Sequence, residues 1–187
     1  LGVTSSDQLF VKREKAGQFG VEVWNLRTGL RGRPLSVPPL VDNTVAVSAD
    51  GKLTAVATKA DGPAQIQLIN TSNGMARKLA ITSLDMRWPL QPVGFSFSPD
   101  GTRLAICFEH EGGVLAIAWN TQTGKPLCEH VYLSGMMPIP PREQFKGRAL
   151  DWVGDNATWL LYGQTLIDAV SGQPLGTLGV DRVIAHH

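Results

Sequence analysis

Phe95-Ser96-Phe97-Ser98-Pro99-Asp100-Gly101-Thr102-Arg103-Leu104-Ala105-Ile106 is the stretch that decides the fold. Phe95 and Phe97 alternate with serines, the period-two spacing of a strand with two unlike faces. Asp100-Gly101 follows, and both residue types tolerate the positive φ of a tight hairpin turn. Leu104 to Phe108 then reads as a second strand, and Glu109-His110-Glu111-Gly112-Gly113 reverses the chain. Val114 to Trp119 makes a third strand, Thr123-Gly124 a turn, and Lys125 to Tyr132 a fourth strand. Working outward, three further segments repeat this layout. Val45-Ala46-Val47-Ser48-Ala49-Asp50-Gly51 matches the opening and Ile69-Asn70 to Gly74 the close. Val3 to Asp7 opens a first copy that closes on Trp24-Asn25-Leu26-Arg27-Thr28-Gly29. Leu150-Asp151-Trp152-Val153-Gly154-Asp155 opens a last copy that closes on Ile167-Asp168 to Gly172.

The turn aspartates are therefore Asp7, Asp50, Asp100 and Asp155, and the closing glycines Gly29, Gly74, Gly124 and Gly172. Four antiparallel strands in a repeat of about 43 to 55 residues make one blade of a β-propeller. The expected fold is all-β, with four such blades at about 1–40, 41–90, 91–145 and 146–180 in a single region spanning 1–187. Residues 181–187 resemble the start of a further inner strand. Because an unpaired terminal blade would expose an apolar face and strand edges, the chain is expected to be part of a larger propeller or to pair with a second copy.

These residues resemble the WD40-repeat β-propellers. The resemblance rests on the Ser-Pro-Asp-Gly opening (Asp100, Gly101, with Asp50 and Gly51 in the second copy). It rests also on the Trp-Asn closes, Trp24-Asn25 with Gly29 and Trp119-Asn120 with Gly124, at the place of the family's Trp-Asp pair. The last copy keeps the acid as Asp168, ahead of Gly172, with Ile167 in place of the Trp. The Gly-His pair that often leads a WD40 repeat is missing from all four copies. The Ser-Pro-Asp-Gly string is shared with TolB-type propellers, the second choice. The resemblance implies about seven blades in the parent fold and a role in protein recognition.

Composition narrows the field further. The chain has 187 residues, 43% apolar and 18% charged, with 20 glycines and 12 prolines. That is globular rather than disordered, and so many turn formers leave little room for long helices. The longest apolar run, Val114 to Trp119, falls far short of the roughly 20 residues of a membrane helix. Net charge is +1, and the one basic cluster, Arg27, Arg31 and Arg33, is too short and diluted for a nucleic-acid stripe. The chain opens on Leu1 with no charged-then-apolar leader and is read as a processed or excised piece.

The residue types that carry chemistry are sparse. Cys107 and Cys128 fall on the second and fourth strands of one blade, two strand spacings or about 9–10 Å apart, too far for a disulfide. Both are expected as thiols, which weighs slightly toward an intracellular origin. Glu109-His110-Glu111 puts its two acids on one side and the His on the other, as at a solvated hairpin tip. His130, beside Glu129 on an outer strand, is expected to be solvated, and His186-His187 is either native or a tag remnant. No zinc-ligand spacing, nucleophile elbow, phosphate loop or dinucleotide fingerprint occurs. Asp151 stands near an inner strand, but its equivalents are Val3, Ala46 and Ser96, so no acidic ring forms. Asn70-Thr71-Ser72 and Asn156-Ala157-Thr158 are formal glycosylation sequons inside turn motifs.

The function expected is non-catalytic, a scaffold module binding a protein or peptide, with no cofactor, no metal, no nucleic acid and no membrane insertion. The long connections Ile81–Pro92 and Tyr132–Arg148 carry Trp88, Met136, Met137 and Phe145, with Arg142 and Arg148 as a basic rim. Flexible Met and rigid aromatic groups on exposed loops suit recognition of proteins. The alternative is a ligand-binding or enzymatic propeller with an axial metal, or the accessory propeller of an enzyme domain.

Overall fold

A computed structural model of the chain describes residues 2–3, 8–15, 18–32, 34–37, 40–60, 62–81, 91–110, 113–133, 149–154 and 156–178. Its elements are all β-strands, grouped in four antiparallel meanders. The first sheet runs β1 (Gly2–Val3), β2 (Gln8–Lys15), β3 (Gln18–Asn25), β4 (Leu35–Val37). The second runs β5 (Leu40–Val47), β6 (Leu53–Ala60), β7 (Gly62–Asn70), β8 (Ala76–Leu79). The third runs β9 (Gln91–Phe97), β10 (Arg103–His110), β11 (Gly113–Asn120), β12 (Pro126–Leu133). The fourth runs β13 (Leu150–Val153), β14 (Thr158–Leu161), β15 (Thr165–Asp168), β16 (Pro174–Thr177). In each sheet the strands lie in chain order, the arrangement of a propeller blade.

The register explains the dense apolar strands. Leu104 pairs Trp119 and Ile106 pairs Ile117, while Ala105 pairs Ala118 and Cys107 pairs Ala116. One face of the third sheet is therefore large and the other small. The large face (Leu104, Ile106, Phe108, Leu115, Ile117, Trp119) packs on Ala55, Ala57, Ile66 and Leu68 of the second sheet. The small face (Ala105, Cys107, Ala116, Ala118) receives Leu150, Trp159, Leu161 and Ile167 of the fourth. Bulky side chains thus meet alanines across both seams, which lets the sheets close to the packing density of a protein interior. Phe10, Val21 and Leu35 of the first sheet meet Val56 and Ile69 of the second, a seam of branched and aromatic side chains without alanines in its buried cluster.

The first strands of neighbouring sheets lie beside one another, β9 between β5 and β13. Gly94 on β9 makes this approach possible: a Cβ there would stand 3.1 Å from the Ala149 Cβ and 3.2 Å from the Leu150 amide nitrogen. The third sheet's strands run longer than the sequence reading, to His110 on β10 and Leu133 on β12, because the hairpin between β10 and β11 pairs as far as His110 with Gly113. Asp7, Asp155 and residues 181–187 lie outside the described residues.

Candidate functional site

At one edge of the second, third and fourth sheets, the opening and closing turns stand side by side. Gly51 and Gly101 have φ of 72° and 71°, Gly29, Gly124 and Gly172 of 67°, 72° and 71°, the left-handed region where an L side chain is strained. The turn aspartates hold these loops by accepting local hydrogen bonds. Asp50 Oδ1 accepts from Ser48 Oγ at 2.7 Å and from the Lys52 amide at 3.0 Å. Asp100 Oδ1 accepts from Ser98 Oγ at 2.7 Å and from the Thr102 amide at 2.9 Å. In the closing turns, Asn25 accepts from the Thr28 amide at 2.9 Å, Asn120 from the Thr123 amide at 2.8 Å, and Asp168 from the Ser171 amide at 2.6 Å. Thr71 and Thr121 hydroxyls tie closing turn to opening turn by donating to the Gly51 and Gly101 carbonyls at 2.6 and 2.8 Å.

Charge follows from these bonds. Burial pushes the Asp100 carboxyl up, but the Ser98 and Thr102 donors outweigh it and its net pKa is lowered. Asp50 is lowered in the same way against its burial by Lys52 and Ser48. Asp168 is lowered chiefly by the Ser171 amide. Of the two sequon asparagines, Asn70 serves its own turn, its Oδ1 accepting from the Ser72 amide at 2.9 Å, whereas Asn156 Nδ2 reaches the opening turn of the neighbouring sheet and donates to Asp100 Oδ2 at 2.7 Å.

A second set of contacts crosses the seams. Trp119 Nε1 donates to the Ala80 carbonyl at 2.9 Å, just past β8, and Trp152 Nε1 to the Ser96 carbonyl at 3.0 Å. Arg77 donates to the Gln122 carbonyl at 2.6 Å and Arg103 to the Asn156 carbonyl at 2.8 Å. Trp24, the first-sheet counterpart of Trp119, instead donates to Glu22 at 3.3 Å. Glu22 also pairs Arg13 at 2.6 Å and Arg31 at 2.7 Å, and the Arg13 hydrogen bond leads the groups that lower its pKa. One member of the basic cluster is thus held in an ion pair.

Cys107 is buried and Cys128 half-buried, both free, and burial raises both thiols. His130 departs from the solvated edge position expected of it. It is half-buried, its ring lies against Gly172 of the next sheet, and its Nε2 is buried without a partner. The cause is that the outer strand of one sheet packs on the closing turn of the next. Asp151 sits on β13, half-buried. Among the described residues no group of three or more His, Cys, Asp or Glu is placed to hold a metal.

Trp88, Met136, Met137, Arg142, Phe145 and Arg148 lie outside the described residues. Their connections leave and re-enter at the edge opposite the turns, after β8 and β12 and before β9 and β13. The sequence reading places the third sheet's outer strand at Lys125 to Tyr132, in agreement with β12, but does not single out its apolar face. Leu127, Val131 and Leu133 on it are 50%, 47% and 47% exposed. The signal was present in the alternation of Glu129, Val131 and Leu133 on an edge strand.

No protein-family model and no curated protein matches the chain. Solved structures do. TolB from Acinetobacter baumannii matches at a TM-score of 0.58 and 13% identity, over 93% of this chain and 41% of that one. A chain of a nidogen/laminin complex matches at 0.58 and 14% identity, over 94% and 60%. Hydrazine synthase from Kuenenia stuttgartiensis matches at 0.54 and 16% identity, over 93% and 52%. The chain spans about half the length of the solved chains it resembles. With four-stranded meanders stacked face to face and the inner strands side by side, its fold is that of the β-propellers.

Proposed function

We propose that the chain is a non-catalytic interaction module of divergent WD40-like repeats, binding a protein or peptide at the edge where the long connections emerge. The observation that carries this reading is the contrast between the two edges. On the turn edge, Asp50, Asp168, Asn70 and Asn120 accept bonds from their own loops, and Asp100 accepts from its own loop and from Asn156 of the next sheet. On the other, β12 carries exposed Val131 and Leu133 straight toward the Met-, Pro- and aromatic-bearing stretch 134–148. Exposed apolar groups on a strand end, followed in the sequence by Met, aromatic and Arg residues, are the residue types that a protein partner buries. The solved nidogen/laminin complex gives a structural neighbour that is itself found in a protein complex.

The test is cross-linking of the full chain to a captured partner, read by mass spectrometry. Cross-links are expected at 82–90 and 129–148, and Trp88→Ala with Phe145→Ala should weaken capture at least about tenfold, the effect of losing a hot-spot aromatic. Cross-links confined to the Asp-Gly turns, with capture untouched by both substitutions, would contradict the reading.

A further inference from the structure

We propose that β12 is a docking edge for an extended segment of a partner protein, which adds to the third sheet as a fifth strand and sets a basic side chain against Glu129. The proposal rests on the interaction-module reading and names the partner's chemistry. Three observations carry it. First, β12 is eight residues long, whereas the outer strands β4, β8 and β16 have three, four and four. Among the described residues nothing pairs with its outer edge, so it presents a long row of backbone donors and acceptors, the template for an added strand.

Second, the two faces of β12 are treated differently. Cys128 Sγ donates to the Ala169 carbonyl at 2.8 Å and the Tyr132 hydroxyl to the Gly172 carbonyl at 3.3 Å, so the strand is fastened to the fourth sheet. A strand so held loses little entropy when a partner pairs with it. The opposite face shows Glu129, Val131 and Leu133 at alternate positions, with both aliphatic residues exposed.

Third, the Glu129 side chain is half-buried, with its Oε1 sealed from solvent and without a hydrogen-bond partner, so an incoming cation meets the carboxylate on its solvent-facing side. A carboxylate with one oxygen out of water and uncompensated is costly, and a cation at its open side offsets part of that cost. The segment that fits carries aliphatic residues opposite Leu133 and Val131 and a Lys or Arg opposite Glu129, two residues apart as an antiparallel strand requires.

The probe is a fluorescein-labelled peptide, acetyl-Val-Thr-Val-Thr-Lys-Thr-amide, titrated against the full chain by fluorescence anisotropy. Saturable binding is expected. Glu129→Lys should weaken it about tenfold or more, and a peptide with Glu in place of its Lys should regain binding to that variant, as a charge pair predicts. N-methylation of the peptide amides that face β12 should abolish binding, because main-chain bonds supply the affinity. Rescue by the swapped peptide separates a lost contact from a misfolded variant. Absence of saturable binding, indifference to Glu129→Lys, or equal binding of the N-methylated peptide would each overturn the proposal. If the edge fails while Trp88→Ala and Phe145→Ala still weaken partner capture, the interaction-module reading survives and only strand addition falls.

Discussion

At the scale of single residues, the glycines and carboxylates of the turns carry the clearest consequences. Gly29 and Gly172 have the same left-handed φ, 67° and 71°, but different surroundings. A Cβ at Gly29 meets open space, whereas at Gly172 it would run into the His130 ring. Gly29→Ala should cost about 1 kcal/mol for backbone strain alone, and Gly172→Ala more, about 2–3 kcal/mol, since the packed ring must shift; urea denaturation of the two variants checks the order. The turn carboxylates set the acid response. The pKa values of Asp50, Asp100 and Asp168 are all lowered below the usual 3.8. The unfolded chain therefore binds protons first as pH falls, so their stabilisation is whole above the usual value and drains away as pH drops through the lowered folded values. Asp100→Asn should flatten the acid limb of a stability-against-pH curve and leave the neutral region's slope unchanged. The turn residues themselves were legible in the sequence, because Asp-Gly and Asn-x-x-x-Gly signal their loops through local bonds alone. The packing of His130 on Gly172 was not, since it joins residues 42 positions apart whose meeting depends on how two sheets stack.

At the scale of strands and sheets, the alternation of Leu104, Ile106 and Phe108 with Ala105 and Cys107 already encodes a sheet buried on both faces. What it does not encode is which neighbour each face meets. The cross-seam bonds run over separations of 39 to 56 residues, close to one repeat, so the repeat period itself is the only sequence hint of them. Trp119→Phe keeps an aromatic group but removes both the donor to the Ala80 carbonyl and part of the indole's buried volume. It should cost about 2–3 kcal/mol, the lost bond and the cavity together, and Trp24→Phe less, because Trp24 is only half-buried and donates a long 3.3 Å bond to a Glu22 already paired with two arginines. A thermal-melt comparison of the two variants measures the seam. The thiols report on the same stacking. Cys107 is fully buried between the third and fourth sheets, and burial raises its pKa far above the ordinary thiol value. Cys128, half-buried, should react slowly with a thiol reagent and Cys107 only after denaturant is added; one fast and one slow equivalent in native protein would mean the seam is open.

At the scale of the whole molecule, the architecture was readable from the spacing of four turn motifs, and the structural likeness to propellers of 13–16% identity agrees with it. The site was less readable. The residues singled out for recognition, Trp88 to Arg148, were chosen by composition, whereas β12 emerges only when the strands are counted and their outer edges compared. The central claim is a stack of sheets closed on both faces at its middle, with β12 the longest of the open outer strands among the described residues. Residue-resolved amide hydrogen exchange tests it most directly, because protection reports buried, hydrogen-bonded backbone strand by strand. The account predicts the slowest exchange in β10 and β11 and an alternation of slow and fast amides along β12, the fast ones facing outward. Uniformly slow exchange along β12 would mean its edge is already paired, and fast exchange in β10 and β11 would contradict the stacked blades themselves.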